Sequence, residues 1–414
     1  MQKILLDNNI PAIIKQNKNT PRIALCLSFK VSEPEKSPGV YSLLNRLFMQ
    51  GTKNRTSEEL AQELEENAIE LYSEMKHDYI RFKILCLNED FEHSLEILED
   101  IIFNSHFELF DKEVVKLKGE IIADLDSPKT KALDNYFKTL YKDHFYGYTH
   151  TVVLDNIDNI KRDDVLESYN LLINNAQKNI TVVGDIDVSD AQNLLNKHFS
   201  QLNYSSVNND SFSIPVLESQ KTVTIEKDDA NQAQIIKGWI FPSISDKDYP
   251  AISLINVILG SSGLSSRLFL ELREKQGLAY VVRSSYESSS LAASFSVYIA
   301  TEPKNINICI DGFEKEIEKI KTIPVSEEEL ENAKNNIIGK RQFILETNSL
   351  QANIINLFEM EGLGFDYEDK FVSSIKSVTS TDIIEVANKY FTKSYVLSIL
   401  APKKYLLEAE NVIS

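Results

Sequence analysis

The sequence predicts an α+β protein made of two similar domains, each with a mixed, mainly antiparallel sheet packed by helices. Two observations support this class. Each half of the 414 residues opens with strand-like alternation and continues through helical stretches, and the first half closes on a buried strand. Short segments of the first half also recur about 220 residues later, which indicates internal duplication. Each half is therefore expected to place its helices on one face of a sheet, and this arrangement defines the α+β class.

The recurring segments are weak matches one by one, but they have nearly the same spacing. They pair NIDNIKRDDVLESY at Asn156 with SIKSVTSTDIIEVA at Ser374, and NRLF at Asn45 with SRLF at Ser266. A polar stretch rich in Ser and Asn, YSSVNNDSFSIPVLES, separates the two halves and is typical of a linker. We therefore predict domains at residues 1–203 and 220–414, joined by a linker at 204–219.

The elements of the first half follow from periodicity and helix start signals. A helical block is expected from Pro38, and Thr56 with Glu59 forms a capping box at the start of the next helix. Further helices are expected from Asp90 to Tyr169. The predicted strands of this half are AIIKQ, RIALCLSFKV, HDYIRFKILCL and the closing ITVVGDID.

The second half repeats this order. Helices are expected near Tyr249–Leu259 and Ser265–Lys275, and Ser326 with Glu329 reads as a second capping box. Its predicted strands are TVTIEK, QIIKGWIF and the hairpin-like pair LAYVVRSSYES and ASFSVYIAT. Trp239, within the second of these, is expected in the strand core.

Composition and charge exclude several classes of function. With 44 Lys and Arg against 62 Asp and Glu, the net charge is −18, and no basic stripe suited to nucleic acid is visible. No apolar run is long enough to cross a membrane. Cys26, Cys86 and Cys309 lie far apart in apolar runs, so we expect buried, reduced thiols. Because Asp7 interrupts the first apolar run, no signal-peptide core is evident, and a cytoplasmic location is expected, or periplasmic if a leader was removed.

Residues 39–52, GVYSLLNRLFMQGT, resemble the zinc-binding helix of the pitrilysin/insulinase family of inverted-zincin metallopeptidases, whose bacterial members are similar to mitochondrial processing peptidase. That helix reads G-x-x-H-x-x-E-H, followed by apolar residues and Gly-Thr. On this resemblance Ser42 and Arg46 stand at the two histidine positions, and Asn45 stands at the glutamate position.

Each of these replacements removes the chemistry of its position. Two imidazoles at i and i+4 share a helix face and hold Zn²⁺, while the glutamate polarises bound water. Ser42 offers only a hydroxyl, and Arg46 stays protonated with no lone pair to donate. Asn45 cannot accept a proton as a general base. We therefore predict a degenerate motif, no metal or other cofactor in this chain, and no peptidase activity of the chain alone.

The resemblance also implies a last ligand, a glutamate about 75 residues further along the chain. That region reads GEIIADLDSPKT, and we assign the position to Asp124, with Glu120 as the alternative. A single carboxylate does not make a zinc site, and a solvated helix acid is the simpler interpretation of Asp124.

A second segment, GLSSRLFLELREKQGLAYVV at Gly263–Val282, resembles the family signature S-R-L-F-x-x-L-R-E-x-x-G-L-A-Y. The resemblance implies that Arg273 holds the substrate backbone or carboxylate and that the Tyr280 hydroxyl assists the oxyanion. Arg273 is expected in the last turn of a helix that Gly277 ends, directly before a strand. The alternative is structural: Arg273 caps helix carbonyls or pairs with Glu271 or Glu274, and Tyr280 packs.

The family resemblance implies two domains that form a half-shell and a division of labour between subunits. One half-shell carries zinc, and the other supplies the arginine and the tyrosine. This chain would then be the substrate-binding accessory subunit of a heteromeric zinc metalloendopeptidase, with zinc in a homologous partner, or it would form a homodimer. The alternatives are an inactive scaffold or peptide-binding protein, and an active homodimeric peptidase with an unusual metal site.

Other motifs give little indication of a metal site or a catalytic site. His144 and His150 lie near each other in HFYGYTH but lack acidic or cysteine partners for a metal. Gly260–Gly263 has Leu264 where a nucleophile elbow needs glycine, and no phosphate-binding glycine motif occurs.

Overall fold

The computed structural model describes residues 1–206 and 212–413, which form two compact units. The first comprises Met1–Glu120, Val153–Phe212 and Gln342–Glu368, and the second comprises Ile121–Val152, Ser213–Arg341 and Asp369–Ser414. Each unit contains one mixed sheet packed by helices. The predicted α+β class is therefore confirmed.

The sheet of the first unit has six strands in the order β1-β2-β6-β3-β5-β4. Among the described strands of this sheet, β2 and β6 pair in parallel and the other neighbours are antiparallel. The central strand β3 is buried along its length after its first residue, so the core lies against the middle of the sheet. The strands are β1 (Gln2–Leu5), β2 (Pro11–Gln16), β3 (Arg22–Lys30), β4 (Glu70–Met75), β5 (Tyr79–Leu87) and β6 (Gln177–Gly184).

Helices of the first half of the chain cover this sheet or lead into the second unit. Thr56 caps the second of them through the predicted reciprocal capping box with Glu59. The helices are α1 (Val40–Leu47), α2 (Ser57–Glu66), α3 (Phe91–Asn104), α4 (Phe110–Leu125), α5 (Pro128–Leu140), α6 (His150–Asn156), α7 (Arg162–Asn175) and α8 (Val188–Phe199).

Within the part of the chain that the structure describes, the sheet of the second unit has five strands in the order β7-β11-β8-β10-β9, and β7 and β11 pair in parallel while the other neighbours are antiparallel. The strands are β7 (Lys221–Glu226), β8 (Ala233–Phe241), β9 (Ala279–Ser288), β10 (Ala293–Thr301) and β11 (Val396–Ala401). The helices of this half are α9 (Tyr249–Asn256), α10 (Ile306–Thr322), α11 (Glu327–Ile344), α12 (Asn348–Met360), α13 (Tyr367–Ser377), α14 (Ser380–Tyr390) and α15 (Lys403–Ile413).

The two sheets share one topology. The order β2-β6-β3-β5-β4 in the first unit matches β7-β11-β8-β10-β9 in the second, with the same parallel and antiparallel neighbours. The sequence halves therefore encode similar domains, as the recurring segments predict. β1 is the one strand of the first sheet without a counterpart among the described residues of the second sheet.

The sequence did not indicate that each unit contains a helix from the other half of the chain. α12 belongs to the first unit, where it packs on β3 and β6, and α5 belongs to the second, where it packs on β8 and β11. The Asn356 amide in α12 donates to the Cys26 and Asn179 carbonyls at 3.3 and 3.2 Å, and Arg81 donates to Asn353 at 2.6 Å. These buried polar contacts fix the position of α12 on its sheet.

α5 is held in the second unit by a similarly specific contact. The Tyr136 hydroxyl lies 2.8 Å from Ser294 Oγ, and Ser398 donates to the Ala132 carbonyl at 3.0 Å. A Cβ on Gly238 would lie 2.0 Å from the Tyr136 hydroxyl, so this close approach requires glycine.

Several predictions for single residues are confirmed. Cys26, Cys86 and Cys309 are buried free thiols, and burial raises the pKa of each to about 11. Trp239 is a buried strand residue whose indole donates to the Thr392 carbonyl at 3.0 Å.

Part of the predicted linker, residues 207–211, lies outside the described residues, and the division at 204–219 stays a prediction. Within residues 1–206 and 212–413, no helix has both the length and the apolar character that a bilayer crossing requires.

The start of α1 depends on a buried carboxylate. Glu35 accepts a hydrogen bond from the Tyr41 N–H at 2.8 Å, next to Gly39, whose φ of +100° suits glycine. Burial raises the pKa of Glu35 from 4.5 to about 7, although backbone N–H groups oppose the shift. Between these pH values the folded state binds a proton that the unfolded state has lost, so stability falls as pH rises through this window.

Replacement Glu35→Gln should flatten this pH dependence, because a neutral amide still accepts the Tyr41 N–H but does not titrate. We expect the loss of unfolding free energy between pH 4.5 and 7, roughly 3 kcal/mol in the wild type, to become much smaller. Urea unfolding at several pH values measures it. The exposed neighbour Glu33 is the control, and Glu33→Gln should keep the wild-type slope. A Glu35→Gln profile with that same slope would show that Glu35 does not titrate in this range.

Candidate functional site

α1, the helix that resembles a zinc-binding helix, is placed by its apolar face. Val40, Leu43, Leu44 and Leu47 are fully buried in the core of the first unit. Helical periodicity then leaves Ser42, Asn45 and Arg46 on the opposite, half-buried side. The structure therefore brings the three predicted positions together on one face.

Arg46 is held by two carboxylates of α4. Its Nη1 and Nη2 donate to Glu120 Oε2 and Oε1 at 2.8 and 2.9 Å, and its Nε donates to Glu113 Oε2 at 3.0 Å. Hydrogen bonding to Glu120 raises the pKa of Arg46, and the same contact lowers the pKa of Glu120. The Glu113 side chain is only 1% exposed and also binds Lys116 at 2.6 Å.

The residues present on this face do not fit a zinc ion. Arg46 places a permanent cation between the carboxylates, where a dication would be repelled. Ser42 Oγ lies 3.6 Å from Met75 Sδ, and Asn45 Oδ1 is buried with no hydrogen-bond partner within the described part of the chain. A hydroxyl, an amide and a guanidinium supply neither the imidazoles nor the general base of a zinc peptidase.

Of the two candidates for the family's last ligand, Glu120 is the one that contacts Arg46. Glu120 is the carboxylate that binds Arg46, whereas Asp124 is exposed and belongs to the second unit. Glu113 was not predicted as a residue of this site. The sequence did contain an indication of it, because Glu113 and Glu120 are seven residues apart and so share one face of a helix.

In the second unit, the segment Gly263–Val282 forms a helical stretch followed by β9. Its end, Phe269–Glu274, is wound as a π-helix, which occurs often at functional sites. Gly277, with φ of +65°, closes the helix, and its N–H donates to the Arg273 carbonyl at 2.9 Å. The predicted helix end at Gly277 and the strand after it are both present.

Arg267 anchors this segment to α11. Its Nε and Nη2 donate to Glu329 Oε1 and Oε2 at 2.8 and 2.7 Å. Glu329 is the residue expected to complete the capping box with Ser326. The Ser326 hydroxyl does accept the Glu329 N–H at 3.2 Å, but the Glu329 carboxylate is engaged by Arg267.

Arg273 and Tyr280 converge, as the short turn between them predicts. Arg273 Nη1 donates to the Tyr280 carbonyl at 2.6 Å, and the guanidinium lies 4.9 Å from the Tyr280 ring centre and 4.7 Å from that of Phe269. Glu271, an alternative partner for Arg273, binds Lys275 instead. The Tyr280 side chain does not pack in the core, because the residue is 76% exposed.

This arrangement presents hydrogen-bond donors to solvent on a fixed framework. The Tyr280 hydroxyl and the remaining Arg273 N–H groups can donate to carbonyl or carboxylate oxygens. Exposed apolar side chains of the same segment accompany them, including Leu264, 73% exposed, and Leu270, 42% exposed. The segment therefore exposes both hydrogen-bond donors and apolar side chains.

The fold and the face of α1 define a metallopeptidase-like protein in which Ser42, Asn45 and Arg46 supply no imidazole ligand. Two family patterns match the sequence: "Insulinase (Peptidase family M16)" matches residues 12–151, and "Peptidase M16 inactive domain" matches residues 159–337. The chain belongs to this insulinase family, peptidase family M16.

Relatives of similar length support the assignment. The chain is 26% identical over 411 residues to an "Uncharacterized zinc protease" of Rickettsia felis, covering 96% of both chains. It is also 26% identical over 369 residues to a "Probable inactive metalloprotease YmfF" of Bacillus subtilis, covering 86% of this chain and 82% of that one.

Solved structures share the fold. A peptidase M16 inactive domain from Pseudomonas fluorescens superposes with a TM-score of 0.85 at 20% identity, covering 97% of this chain and 98% of that one. A protease from Helicobacter pylori gives a TM-score of 0.86 at 22% identity, covering 97% and 99%.

Proposed function

We propose that this protein is a member of the insulinase family that lacks the family's zinc on α1 and binds peptides through Arg273 and Tyr280. In this proposal it acts as the accessory subunit beside a zinc-bearing relative. The observation that carries the proposal is the Arg273–Tyr280 pair, in which the Tyr280 ring is exposed and the guanidinium is fixed against it. An exposed aromatic ring stabilised in this way has no evident role in the core of its own domain.

The contacts on the α1 face support the part of the proposal in which this chain binds peptide and a partner hydrolyses it. Arg46 satisfies the carboxylates of Glu113 and Glu120 internally, so the first unit needs no metal to be stable. The chain would then contribute binding rather than hydrolysis. A partner with an intact H-x-x-E-H helix would supply the activity.

The second candidate is an inactive scaffold. The same Arg46 contacts favour it, because an ion pair that replaces a metal preserves the fold whether or not peptides bind. The two candidates differ in one property. Only the accessory subunit needs the exposed Arg273 and Tyr280 for peptide binding.

Reconstitution with a zinc-bearing relative from the same organism tests the proposal. We expect a fluorescently quenched peptide to be cleaved faster by the mixture than by either chain alone, and labelled peptide to bind this chain in a fluorescence anisotropy titration. Each chain alone and the mixture treated with a chelator are the controls. Cleavage by the relative alone at the rate of the mixture, with no peptide binding to this chain, would favour the scaffold.

A further inference from the structure

Helices α3 and α8 bring together side chains that can ligate a metal, and none of these side chains belongs to the α1 face that resembles a zinc helix. Glu92 and Glu96 of α3 and His198 of α8 each offer one ligand atom, and the three atoms lie within 4.8 Å of one another. Glu92 and Glu96 are four residues apart, so they share a helix face. His198 lies in the last turn of α8, a helix that packs against α3.

His198 is the residue that distinguishes this cluster from an ordinary group of surface acids. Its side chain is only 3% exposed, and its Nδ1 lies 2.8 Å from Glu99 Oε2. Its Nε2 is buried and has no hydrogen-bond partner within residues 1–206 and 212–413. A carboxylate that accepts the Nδ1 proton leaves the Nε2 lone pair free, which is the usual arrangement of a metal-binding histidine.

We propose that Glu92, Glu96 and His198 form a binding site for Zn²⁺, with Glu99 as the residue that orients the imidazole. One imidazole and two carboxylates, with water in the remaining position, suit zinc, whereas Ca²⁺ and Mg²⁺ prefer oxygen ligands alone. The sequence did not reveal the site, because its members come from two helices about 100 residues apart in the chain. The site is independent of the proposed peptide-binding function.

The surrounding carboxylates attract a dication, but one lysine competes with the metal for Glu92. Glu92, Glu96 and Glu99 supply three carboxylates, while Lys197 Nζ lies 2.6 Å from Glu92 Oε1. His93 is also near, with Nδ1 3.5 Å from Glu96 Oε2. Zinc binding therefore requires the Lys197 ammonium to release Glu92. This competition predicts moderate affinity and an increase in affinity when Lys197 is removed.

Zinc titration of the full chain by calorimetry at pH 7.5 tests the site. We expect one Zn²⁺ per chain, with a dissociation constant on the order of 10 µM or tighter. Ca²⁺ and Mg²⁺ at the same concentration should not compete. Replacement His198→Ala or Glu96→Gln should weaken binding tenfold or more, and Glu99→Gln by about tenfold through loss of imidazole orientation.

Two further variants separate a metal site from a merely structural cluster. Lys197→Met should strengthen zinc binding several-fold, because it frees Glu92, whereas a structural ion pair gives no reason for any gain. His106→Ala, in the same unit but outside the cluster, should leave zinc affinity unchanged. If His198→Ala does not fold, the zinc affinities of Glu96→Gln and Lys197→Met still test the proposed site. No zinc bound by the wild type, or equal affinity in wild type, Glu96→Gln and Lys197→Met, would overturn the proposal.

Discussion

The combined replacements Ser42→His, Asn45→Glu and Arg46→His are expected to create a zinc site on α1 where the wild-type chain binds none. The two imidazoles would stand one helical turn apart, and Glu120 already reaches the position of the Arg46 guanidinium, at 2.8 and 2.9 Å. Removing the guanidinium also removes the charge that repels a dication.

The expected effect on stability is large and depends on the metal. Without zinc, the variant leaves Glu113, 1% exposed, with Lys116 as its remaining ion-pair partner, and a loss of roughly 1–3 kcal/mol of unfolding free energy follows. Zinc at 100 times its dissociation constant should restore about 2.7 kcal/mol by mass action. The wild type should show neither the loss nor the metal-dependent gain at this site.

Metal analysis after dialysis, together with thermal unfolding with and without zinc, measures both effects. The experiment belongs in a His198→Ala background, so that zinc at the proposed α3–α8 site does not contribute. Asn45→Glu alone is the control and should bind no zinc, because it supplies no imidazole. If the triple variant folds but takes up no zinc, the α1 face does not correspond to the family's metal helix.

The second large effect concerns Arg273 and Tyr280 in the mixed complex with a zinc-bearing relative. Arg273→Leu or Tyr280→Phe should leave folding and pairing unchanged but slow peptide cleavage by about 10²- to 10³-fold, roughly 3–4 kcal/mol of transition-state stabilisation. The reason is that a preorganised hydrogen-bond donor cannot be replaced by water once substrate is bound. Initial rates with a saturating excess of each variant measure the effect.

A neighbouring charge provides the matched control. Lys275 lies two residues after Arg273 and is exposed, so Lys275→Leu changes the local charge equally without touching the Arg273–Tyr280 pair. We expect its cleavage rate to stay close to that of the wild type. Equal rates for Arg273→Leu and Lys275→Leu would mean that the retained signature is only structural, and the scaffold would become the preferred function.

The residues behind these two effects could be identified from the sequence alone. The losses at Ser42, Asn45 and Arg46 follow from side-chain chemistry alone, because no fold can give a guanidinium a lone pair. The turn at Gly277 is similarly local, and so it could be predicted from glycine, helix length and the following strand. The roles of Arg273 and Tyr280 in peptide binding remain a prediction.

Other features depended on residues distant in the chain. Glu120 was only the alternative to Asp124, because spacing along a helix does not show which carboxylate meets Arg46. Glu113 was missed for the same reason, and His198 was missed because its partners lie on another helix. Such contacts are set by how helices pack, and no local pattern records that packing.

By itself, the sequence determined the α+β class, the duplication and the family, since each follows from periodicity, repeated segments or recognisable motifs. The loss of zinc binding on α1 is a prediction that rests on the properties of single side chains. The tertiary structure alone decided that α5 and α12 belong to the units of the opposite sequence halves, that Arg46 binds Glu113 and Glu120, and that His198 lies against Glu92 and Glu96. The physical reason is that periodicity reports which face of a helix is buried, whereas the sheet or helix that covers this face is chosen by packing across the whole chain.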